Sequence, residues 1–320
     1  MTTRSEPGDG VSVPGDGASD PGLRAIMSER RHLLNLAYRL LGSLADAEDV
    51  VQETYARWYT MSRPQREAIA SPGGWLTTVA GRICLDLLRS ARARRERYVG
   101  EWIPEPLPDR AEWIDGASGG GTDDPADRVT LDESVNMALL VVLDSMTPAE
   151  RVAFILHDVF RYSFAEVAEI VGRTPAACRQ LATSARRRVR ASQAPAIATP
   201  AAQRAHIVRD FKDAWEAKDI DALIGLLDPD ARTVADGGGL VSAQLRPVQG
   251  REQIARVLVD LAAGAPDMTI LEHTVNGQPG LVTQQGGVTV TVMAFDIADG
   301  RIKHIWSVRN PEKLRRWTGQ

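Results

Sequence analysis

Arginine side chains are concentrated near the middle of this sequence. Six of them and no acidic residue lie between positions 173 and 190, although the whole chain of 320 residues has a formal net charge of -4 at pH 7. Guanidinium groups donate paired hydrogen bonds to phosphate oxygens, so such a cluster in an acidic chain indicates a surface that faces nucleic-acid phosphates. A solvated basic helix would have the same composition. The six residues are Arg173, Arg179, Arg186, Arg187, Arg188 and Arg190.

The elements around this cluster predict a helix-turn-helix. Small and apolar residues share one face of a helix over 163–171, while Glu166 and Glu169 face solvent. Gly172 suits a sharp helix exit, Thr174 can cap the next helix, and Pro175 fits its first position. The arginines therefore follow a predicted DNA-binding turn. The apolar face consists of Phe164, Val167, Ala168, Ile170 and Val171.

Composition excludes several classes of protein. With 43% hydrophobic and 25% charged residues, the chain is expected to be globular and to hold two or three domains. No apolar run approaches the ~20 residues of a membrane span and the N-terminus is polar, so a cytoplasmic protein without membrane contact is expected. Cys84 and Cys178 lack metal-ligand spacing, so we expect reduced thiols, no metal site and no cofactor.

Changes of pattern divide the chain into six parts. Helical periodicity occurs twice, and Gly, Pro and acidic residues interrupt it. After the second interruption, helices are followed by strand-like runs, with Asp299-Gly300 as a predicted hairpin turn in a meandering antiparallel sheet. The predicted parts are a disordered tail (1–22), a helical module (23–100), an acidic linker (101–130), a second helical module (131–192), an Ala/Pro-rich linker (193–202) and an α+β domain (203–320).

Two helical modules joined by a linker, the second with a helix-turn-helix, resemble a bacterial RNA polymerase sigma factor of the extracytoplasmic-function group in the sigma-70 family. The stretch LLNLAYRLLGSLADAEDVVQETYARWY resembles the helices of region 2 that dock on the β′ clamp helices of core polymerase. An ordinary solvated helix face would have the same pattern. The resemblance assigns polymerase binding to Asp46, Glu48, Asp49, Gln52 and Glu53.

The segment SPGGWLTTVAGRICLDLLRSARARRER resembles the part of region 2 that melts the promoter and recognises its minus-ten element. Basic side chains there would follow phosphates, and an aromatic group could hold a flipped base. Trp75 would suit a position in the hydrophobic core as well as a position that faces a base. The resemblance assigns DNA binding here to Trp75, Arg82, Arg89, Arg92, Arg94 and Arg95.

The second module resembles region 4, which recognises the minus-thirty-five element and, in the family, contacts the β flap of polymerase. Thr147, Pro148 and residues 150–160 resemble its scaffold helix. Arg and Gln can pair bidentately with base edges in the major groove, whereas the arginine run suits phosphate. The assigned DNA-binding residues are Arg173, Arg179, Gln180, Ser184, Arg186, Arg187 and Arg188.

Residues 203–320 resemble a SnoaL-like domain of the NTF2-like fold, a curved sheet with helices that close a cone. One subgroup of these sigma factors carries such an extension in place of a separate anti-sigma factor, together with WLPEPL-like, DGGGK-like and NPDKL-like motifs. The matching residues are Trp102, Ile103, Pro104, Glu105, Pro106 and Leu107; Asp236, Gly237, Gly238 and Gly239; and Asn310, Pro311, Glu312, Lys313 and Leu314. Leu240 replaces the lysine of the second motif, so any salt bridge through that lysine is absent.

The resemblance implies a protein that does no chemistry itself, binds core polymerase and promoter DNA, and is regulated in cis by its C-terminal domain. We expect the linker motif to pack near the loop at 236–239, and the substitution Asp236→Ala to alter transcription without unfolding the protein. Deleting Asn310–Gln320 should raise activity, while deleting the whole domain should lower it.

Three other functions stay open at this point. The NTF2-like fold also hosts isomerases and cyclases with an Asp or His base, and Asp236, His273, Asp296 and His304 are available, although no paired spacing indicates catalysis. A small-molecule sensor would use the same cavity. A repressor that used only the helix-turn-helix would leave the first module without a role.

Overall fold

A computed structural model describes residues 21–95, 98–108, 135–192 and 199–318. The first module contains α1 (Pro21–Leu41), α2 (Leu44–Thr60), α3 (Arg63–Glu67) and α4 (Pro72–Arg95). The second module contains α5 (Met137–Asp144), α6 (Pro148–Phe154) with a following π-helical turn (Ile155–Val159), α7 (Phe164–Val171) and α8 (Pro175–Ser192). Helix α1 begins at Pro21, two residues inside the tail predicted at 1–22, and residues 1–20 and 109–130 of the predicted tail and acidic linker lie outside the described residues.

The predicted helix-turn-helix is confirmed in α7 and α8. Ser163 begins α7 with a capping box, since its side chain and that of Glu166 each bond the backbone of the other residue. Gly172 ends the helix in a left-handed conformation (φ 71°), which glycine adopts without the Cβ clash of other residues. The Thr174 hydroxyl then accepts a 3.2 Å hydrogen bond from the Ala177 amide at the start of α8.

The two modules share one hydrophobic core. Helix α4 crosses α7 so closely that a Cβ at Gly81 would lie 2.8 Å from Cγ2 of Ile170. Arg151 of α6 is 3% exposed and donates to the Leu40 carbonyl (3.0 Å) and the Asp144 carboxylate (2.8 Å). Burial lowers the pKa of this guanidinium to about 10. The modules are therefore packed directly against each other.

The C-terminal domain is a mixed sheet with helices on one face. Its strand order is β2-β1-β6-β5-β4-β3, and β1 pairs with β6 in parallel, so the expectation of a purely antiparallel meander was wrong. The elements are α9 (Ala201–Glu216), α10 (Ile220–Leu226), β1 (Leu227–Asp236), β2 (Val248–Gln249), α11 (Arg251–Gly264), β3 (Met268–Val275), β4 (Gln278–Gln285), β5 (Val288–Ala298) and β6 (Arg301–Val308).

Two-residue turns join the last four strands. Asp299-Gly300 connects β5 to β6 as predicted, and both residues have positive φ (54° and 70°) as a type I′ turn requires. Asn276-Gly277 and Gly286-Gly287 form equivalent turns at the two preceding hairpins. Alternation along these strands gives the sheet two apolar faces.

The two faces of the sheet have different covers. Helices α9, α10 and α11 fill the inner face with Phe211, Trp215, Leu223, Ile254 and other apolar side chains. The outer face packs against α5, against the linker segment (residues 98–108) and against the C-terminal tail (residues 309–318), through a cluster that contains Ile103, Met137, Trp306, Leu314 and Trp317. The outer face thus binds the C-terminal domain to the second module and to the linker segment.

Candidate functional site

An exposed stripe follows helix α8. Arg179, Gln180 and Arg187 are exposed on it, together with Arg190 near the end of the helix and Arg173 in the turn before it. Spacings of seven (Gln180 to Arg187), three (Arg187 to Arg190) and eleven residues (Arg179 to Arg190) place the helical ones on one face. The Arg179 guanidinium also lies over the Phe164 ring, 5.1 Å from its centroid. This stripe offers the donor groups that contact base edges and phosphates.

Other predicted DNA-binding residues of α8 face the scaffold helix α6 instead. The Ser184 hydroxyl donates to Glu150 (2.7 Å), and Arg186 donates to Asp158 (2.6 Å). Arg188 lies 3.8 Å from the same Glu150 carboxylate and keeps 48% of its side chain exposed. The structure therefore separates Ser184 and Arg186, which have partners within the module, from the exposed stripe.

Helix α4 carries the predicted minus-ten residues, and the second module covers part of it. The Arg82 guanidinium donates to the Glu169 carbonyl of α7 (2.9 Å). Trp75 is half-buried against Trp58, with ring centroids 5.3 Å apart, which gives it a packing role. Arg89 is exposed and pairs with the neighbouring Asp86. The side chains of Arg92, Arg94 and Arg95 lie outside the described part of the structure.

The acidic face of α2 is partly occupied by the C-terminal tail. Asp49, Gln52 and Glu53 are exposed, whereas Asp46 is half-buried in the first turn. The remaining predicted polymerase-binding residue, Glu48, forms a salt bridge with Arg316 of the tail. No sequence signal identified Arg316 as its partner, because 268 positions separate the two residues.

The linker segment docks on the turn between α1 and α2. Glu105 accepts a 2.7 Å hydrogen bond from the Leu44 amide, the first residue of α2, and its own amide donates to the Gly42 carbonyl (2.8 Å). Burial raises the pKa of the Glu105 carboxyl above its ordinary value, and the Leu44 hydrogen bond opposes this. A Cβ at Gly42 would lie 2.8 Å from the Trp102 ring and 3.3 Å from Pro104. The linker motif thus contacts α2, the helix predicted to bind polymerase, directly.

A buried carboxylate joins the linker segment to the C-terminal domain. Asp236 at the end of β1 accepts hydrogen bonds from the Tyr98 hydroxyl (2.7 Å), the Ile103 amide (3.0 Å) and the Gly238 amide (3.0 Å). The Lys313 ammonium completes its environment at 2.7 Å, and the two side chains are 0% and 12% exposed. The predicted proximity of the linker motif and the loop at 236–239 is thus observed.

The tail encloses this carboxylate. The Asn310 and Arg309 amides donate to the Asp236 carbonyl (2.9 and 2.7 Å), and the Asn310 side chain donates to the Tyr98 hydroxyl (2.9 Å). Gly238 (φ 63°) lies so close that a Cβ there would be 2.4 Å from Nδ2 of Asn310. Leu240, which stands where the loop motif has a lysine, is 61% exposed. The cation beside Asp236 is instead Lys313 of the tail. All three predicted motifs therefore meet at one place.

Further contacts of the tail hold the linker segment from both sides. The Lys313 ammonium also donates to the Ile103 carbonyl and lies over the Trp102 ring, 4.3 Å from its centroid. Trp317 is 4% exposed, and its indole N–H donates to the Pro106 carbonyl (3.0 Å). Pro311 is exposed beside these contacts. The tail is therefore the outer layer that keeps the linker segment on the sheet.

The candidate catalytic residues are not assembled into a site. Asp236 and His273 belong to the interdomain contacts, since His273 packs edge-on against Trp317 with centroids 5.9 Å apart. Asp296 and His304 pair at 3.2 Å on half-buried strand positions, and His304 stacks on Trp306. Among the described residues, no group of His, Cys, Asp or Glu is arranged to hold a metal ion. Cys84 and Cys178 are buried free thiols.

Known proteins identify this combination of modules. The ECF RNA polymerase sigma factor SigJ of Mycobacterium tuberculosis is 37% identical over 296 residues, which cover 89% of this chain and 90% of SigJ. The chain belongs to the extracytoplasmic-function RNA polymerase sigma factors. Family models match Sigma-70 region 2 at 25–94, Sigma-70 region 4 at 136–189 and a SnoaL-like domain at 208–306. The first module is therefore region 2, and the second is region 4.

Further relatives agree with this assignment. The probable ECF sigma factor SigI of M. tuberculosis is 35% identical over 288 residues, covering 90% of this chain and 92% of SigI. The crystal structure of M. tuberculosis SigJ matches with a TM-score of 0.68 and 33% identity, covering 92% of this chain and 98% of that one. Members of this family are not enzymes; they bind core RNA polymerase and promoter DNA. Among the described residues no helix is both long and apolar enough to cross a membrane.

Proposed function

We propose that this ECF sigma factor is regulated in cis by its C-terminal domain, which holds region 2, the linker segment and region 4 in one docked arrangement. In this proposal α2 binds the β′ clamp helices through Asp46, Glu48, Asp49, Gln52 and Glu53, and region 4 contacts the β flap. The exposed arginines of α4 and α8 contact promoter DNA. No separate anti-sigma factor is required, because the fused domain supplies the restraint.

The environment of Asp236 carries this proposal. One buried carboxylate of the C-terminal domain bonds the Ile103 amide of the linker segment and the Lys313 ammonium of the tail. The linker segment in turn caps α2 through Glu105. A change at the tail is therefore transmitted to the polymerase-facing helix through contiguous hydrogen bonds.

Binding both promoter elements at once requires regions 2 and 4 to lie far apart, whereas the docked arrangement holds them together. Minus-ten and minus-thirty-five elements lie about 25 base pairs apart, which is roughly 85 Å along B-form DNA at 3.4 Å per base pair. Here α4 of region 2 and α7 of region 4 are in direct contact at Gly81 and Ile170. Both elements can be engaged only after the two regions separate, so docking restrains initiation.

Run-off transcription with core polymerase tests the proposal. The full-length chain is compared with one that ends at Arg309 and one that ends at Ala202. Loss of the tail removes Lys313 and Trp317 from the linker segment and should raise initiation. Loss of the whole domain also uncovers Ile103 and Met137, which are 1% exposed in the full chain, and should lower initiation. Equal output from both truncations would contradict regulation in cis, and no polymerase-dependent initiation would contradict the sigma-factor role.

A further inference from the structure

The turn between β3 and β4 lies in an unusual environment. A two-residue hairpin turn normally faces solvent, yet Asn276 in this turn is 1% exposed. Its backbone has positive φ (52°), as type I′ geometry requires, so its conformation follows from the hairpin itself. The turn belongs to none of the three sequence motifs, and its burial results from contact with the helical modules.

Three separate parts of the chain meet at the Asn276 side chain. Its Oδ1 accepts a hydrogen bond from the Leu107 amide (3.0 Å) in the linker segment. Its Nδ2 donates to the Tyr38 hydroxyl of α1 (3.0 Å) and to the Val135 carbonyl just before α5 (2.9 Å). The Asn276 backbone N–H also donates to the Leu107 carbonyl (2.9 Å). The side-chain amide of Asn276 thus bonds region 2 and the start of region 4 through its two N–H donors and the linker segment through its carbonyl oxygen.

Neighbouring contacts reinforce this junction. The Tyr38 hydroxyl donates onward to the Glu105 carbonyl (2.7 Å), so it bridges the turn and the linker segment. Burial raises the pKa of Tyr38, which keeps the phenol protonated and able to donate. Pro108 forms an isolated antiparallel bridge with Val275, next to the turn. Every polar atom in this network has a partner, and a satisfied buried network of this kind fixes one arrangement of its members.

We propose that Asn276 is a positioning residue that locks α1 of region 2, the linker segment and the start of region 4 together, in addition to the Asp236–Lys313 contact. While its side-chain amide bonds Leu107, Tyr38 and Val135 at once, the start of region 4 cannot move away from region 2 at this point. Release of the turn breaks all three contacts together. This inference rests on the proposed regulation in cis, but it concerns a different contact and a different step.

Hydrogen–deuterium exchange on the full chain without polymerase tests the lock. Asn276→Gly keeps the turn, since Gly286-Gly287 shows that two glycines form the same turn in this sheet, and removes the side-chain amide. Asp299→Gly is the matched control, because Asp299 has the same turn position and is exposed to solvent at 44% of its side chain. Exchange of the Leu107 amide should rise about tenfold or more in Asn276→Gly and stay at the wild-type rate in Asp299→Gly.

Two further measurements separate positioning from a general loss of structure. Exchange of β3 and β4 amides should match in both glycine variants. If the hairpin itself opens, Tyr38→Phe replaces Asn276→Gly as the decisive variant, since it leaves the turn unchanged and removes the Tyr38 hydroxyl, which bonds both the Asn276 side chain and the Glu105 carbonyl. Promoter-specific initiation with core polymerase should increase in Asn276→Gly relative to Asp299→Gly. Unchanged Leu107 exchange in Asn276→Gly, or in Tyr38→Phe where the hairpin opens, would overturn the lock. Faster exchange without initiation from the wild-type chain would leave the lock standing and overturn the proposed function.

Discussion

The Lys313 ammonium is the cation of the interdomain contact, and replacing it tests the docked arrangement directly. Lys313→Met keeps an unbranched apolar side chain over Trp102 and removes the charge that lies 2.7 Å from the Asp236 carboxylate. The Asp236 side chain is 0% exposed, so the carboxylate would remain buried without its counter-ion. We expect the linker segment and the tail to separate from the C-terminal domain much more often.

The size of the effect follows from burial and from the remaining partners. Removing one member of a buried ion pair typically costs about 3–5 kcal/mol, because the other charge stays desolvated. Tyr98 and the Ile103 and Gly238 amides would still donate to Asp236, which favours the lower end of that range. About 3 kcal/mol corresponds to roughly a 100-fold shift in the docking equilibrium.

Exchange of single amides measures this shift. The Ile103 amide donates to Asp236 and the Leu44 amide donates to Glu105, so both should lose protection when the linker segment leaves. Both should exchange roughly 100-fold faster in Lys313→Met, within the limit set by global unfolding. A circular dichroism melt checks that the sheet of the C-terminal domain remains folded.

Lys303→Met provides the control for a lost lysine charge. Lys303 pairs with Asp228 at 2.6 Å in the same domain, but the pair is 30% and 16% exposed and lies away from the linker contacts. Its loss should leave Ile103 and Leu44 at wild-type exchange rates. Equal exchange of these amides in Lys313→Met and Lys303→Met would refute the reasoning that the buried charge pair holds the linker segment in place.

Three further perturbations address separate surfaces. Arg316→Glu replaces the half-exposed salt bridge between the tail and α2 with repulsion, so the affinity for core polymerase, measured by fluorescence anisotropy, should rise several-fold. The control Arg315→Glu changes the exposed neighbouring position and should not raise this affinity to the same extent. Burial, and secondarily the Arg39 charge, lowers the pKa of His32 in the folded protein below 6.5. The neutral imidazole therefore stabilises the fold above pH 6.5, and this stabilisation is lost as the pH falls through the lowered pKa of the folded state. The melting temperature should therefore fall more between pH 7.5 and 5.5 for the wild type than for His32→Gln, and equal falls would contradict this. In promoter-binding titrations of the polymerase complex, Arg187→Ala should reduce the salt slope by about one, whereas Arg186→Ala should change it less because Asp158 already neutralises that group; equal changes would count against the exposed stripe.

Local signals explain which parts of the fold could be predicted. Gly172, Thr174 and Pro175 specify helix end, cap and helix start through their own backbone preferences, and the structure has each of them as expected. The Asp299-Gly300 turn was predicted for the same reason. The Asn276-Gly277 pair carried an equally strong hairpin signal, and reading it would have located β3 and β4.

Elements that depend on distant partners could not be predicted in this way. Strand β1 reads LDPDARTVAD, with little alternation, and it is a strand because β6 pairs with it in parallel. The amphipathic helix α11 did have a local signal, since Ile254, Ala255 and Leu258 recur on its buried face. Its absence from the prediction was a missed pattern and not a lack of information.

Within the candidate site, the motifs were predicted but their partners were not. Asp236 was expected to contact the linker motif, yet the cation beside it is Lys313, which no spacing within the loop could indicate. Arg186 and Ser184 matched the recognition helix by position, but the acidic groups of the π-helical turn and of α6 bind them. Sequence separation hides such pairs, because charge and helical period describe only one element at a time.

The shared core of regions 2 and 4 determines where the energy for opening must come from. Separation would expose the buried Ile170 side chain and break the hydrogen bond from Arg151 to the Leu40 carbonyl, so opening the closed arrangement costs free energy. In the proposed function, the minus-thirty-five element alone would contact the exposed stripe of α8 in either arrangement, and a ligand with equal affinity for two states does not shift the equilibrium between them. In the proposed function, core polymerase contacts the face of α2 on which Arg316 lies, so it would bind the open state more tightly. Polymerase binding, and not contact with the minus-thirty-five element alone, should therefore supply the free energy that releases the C-terminal domain.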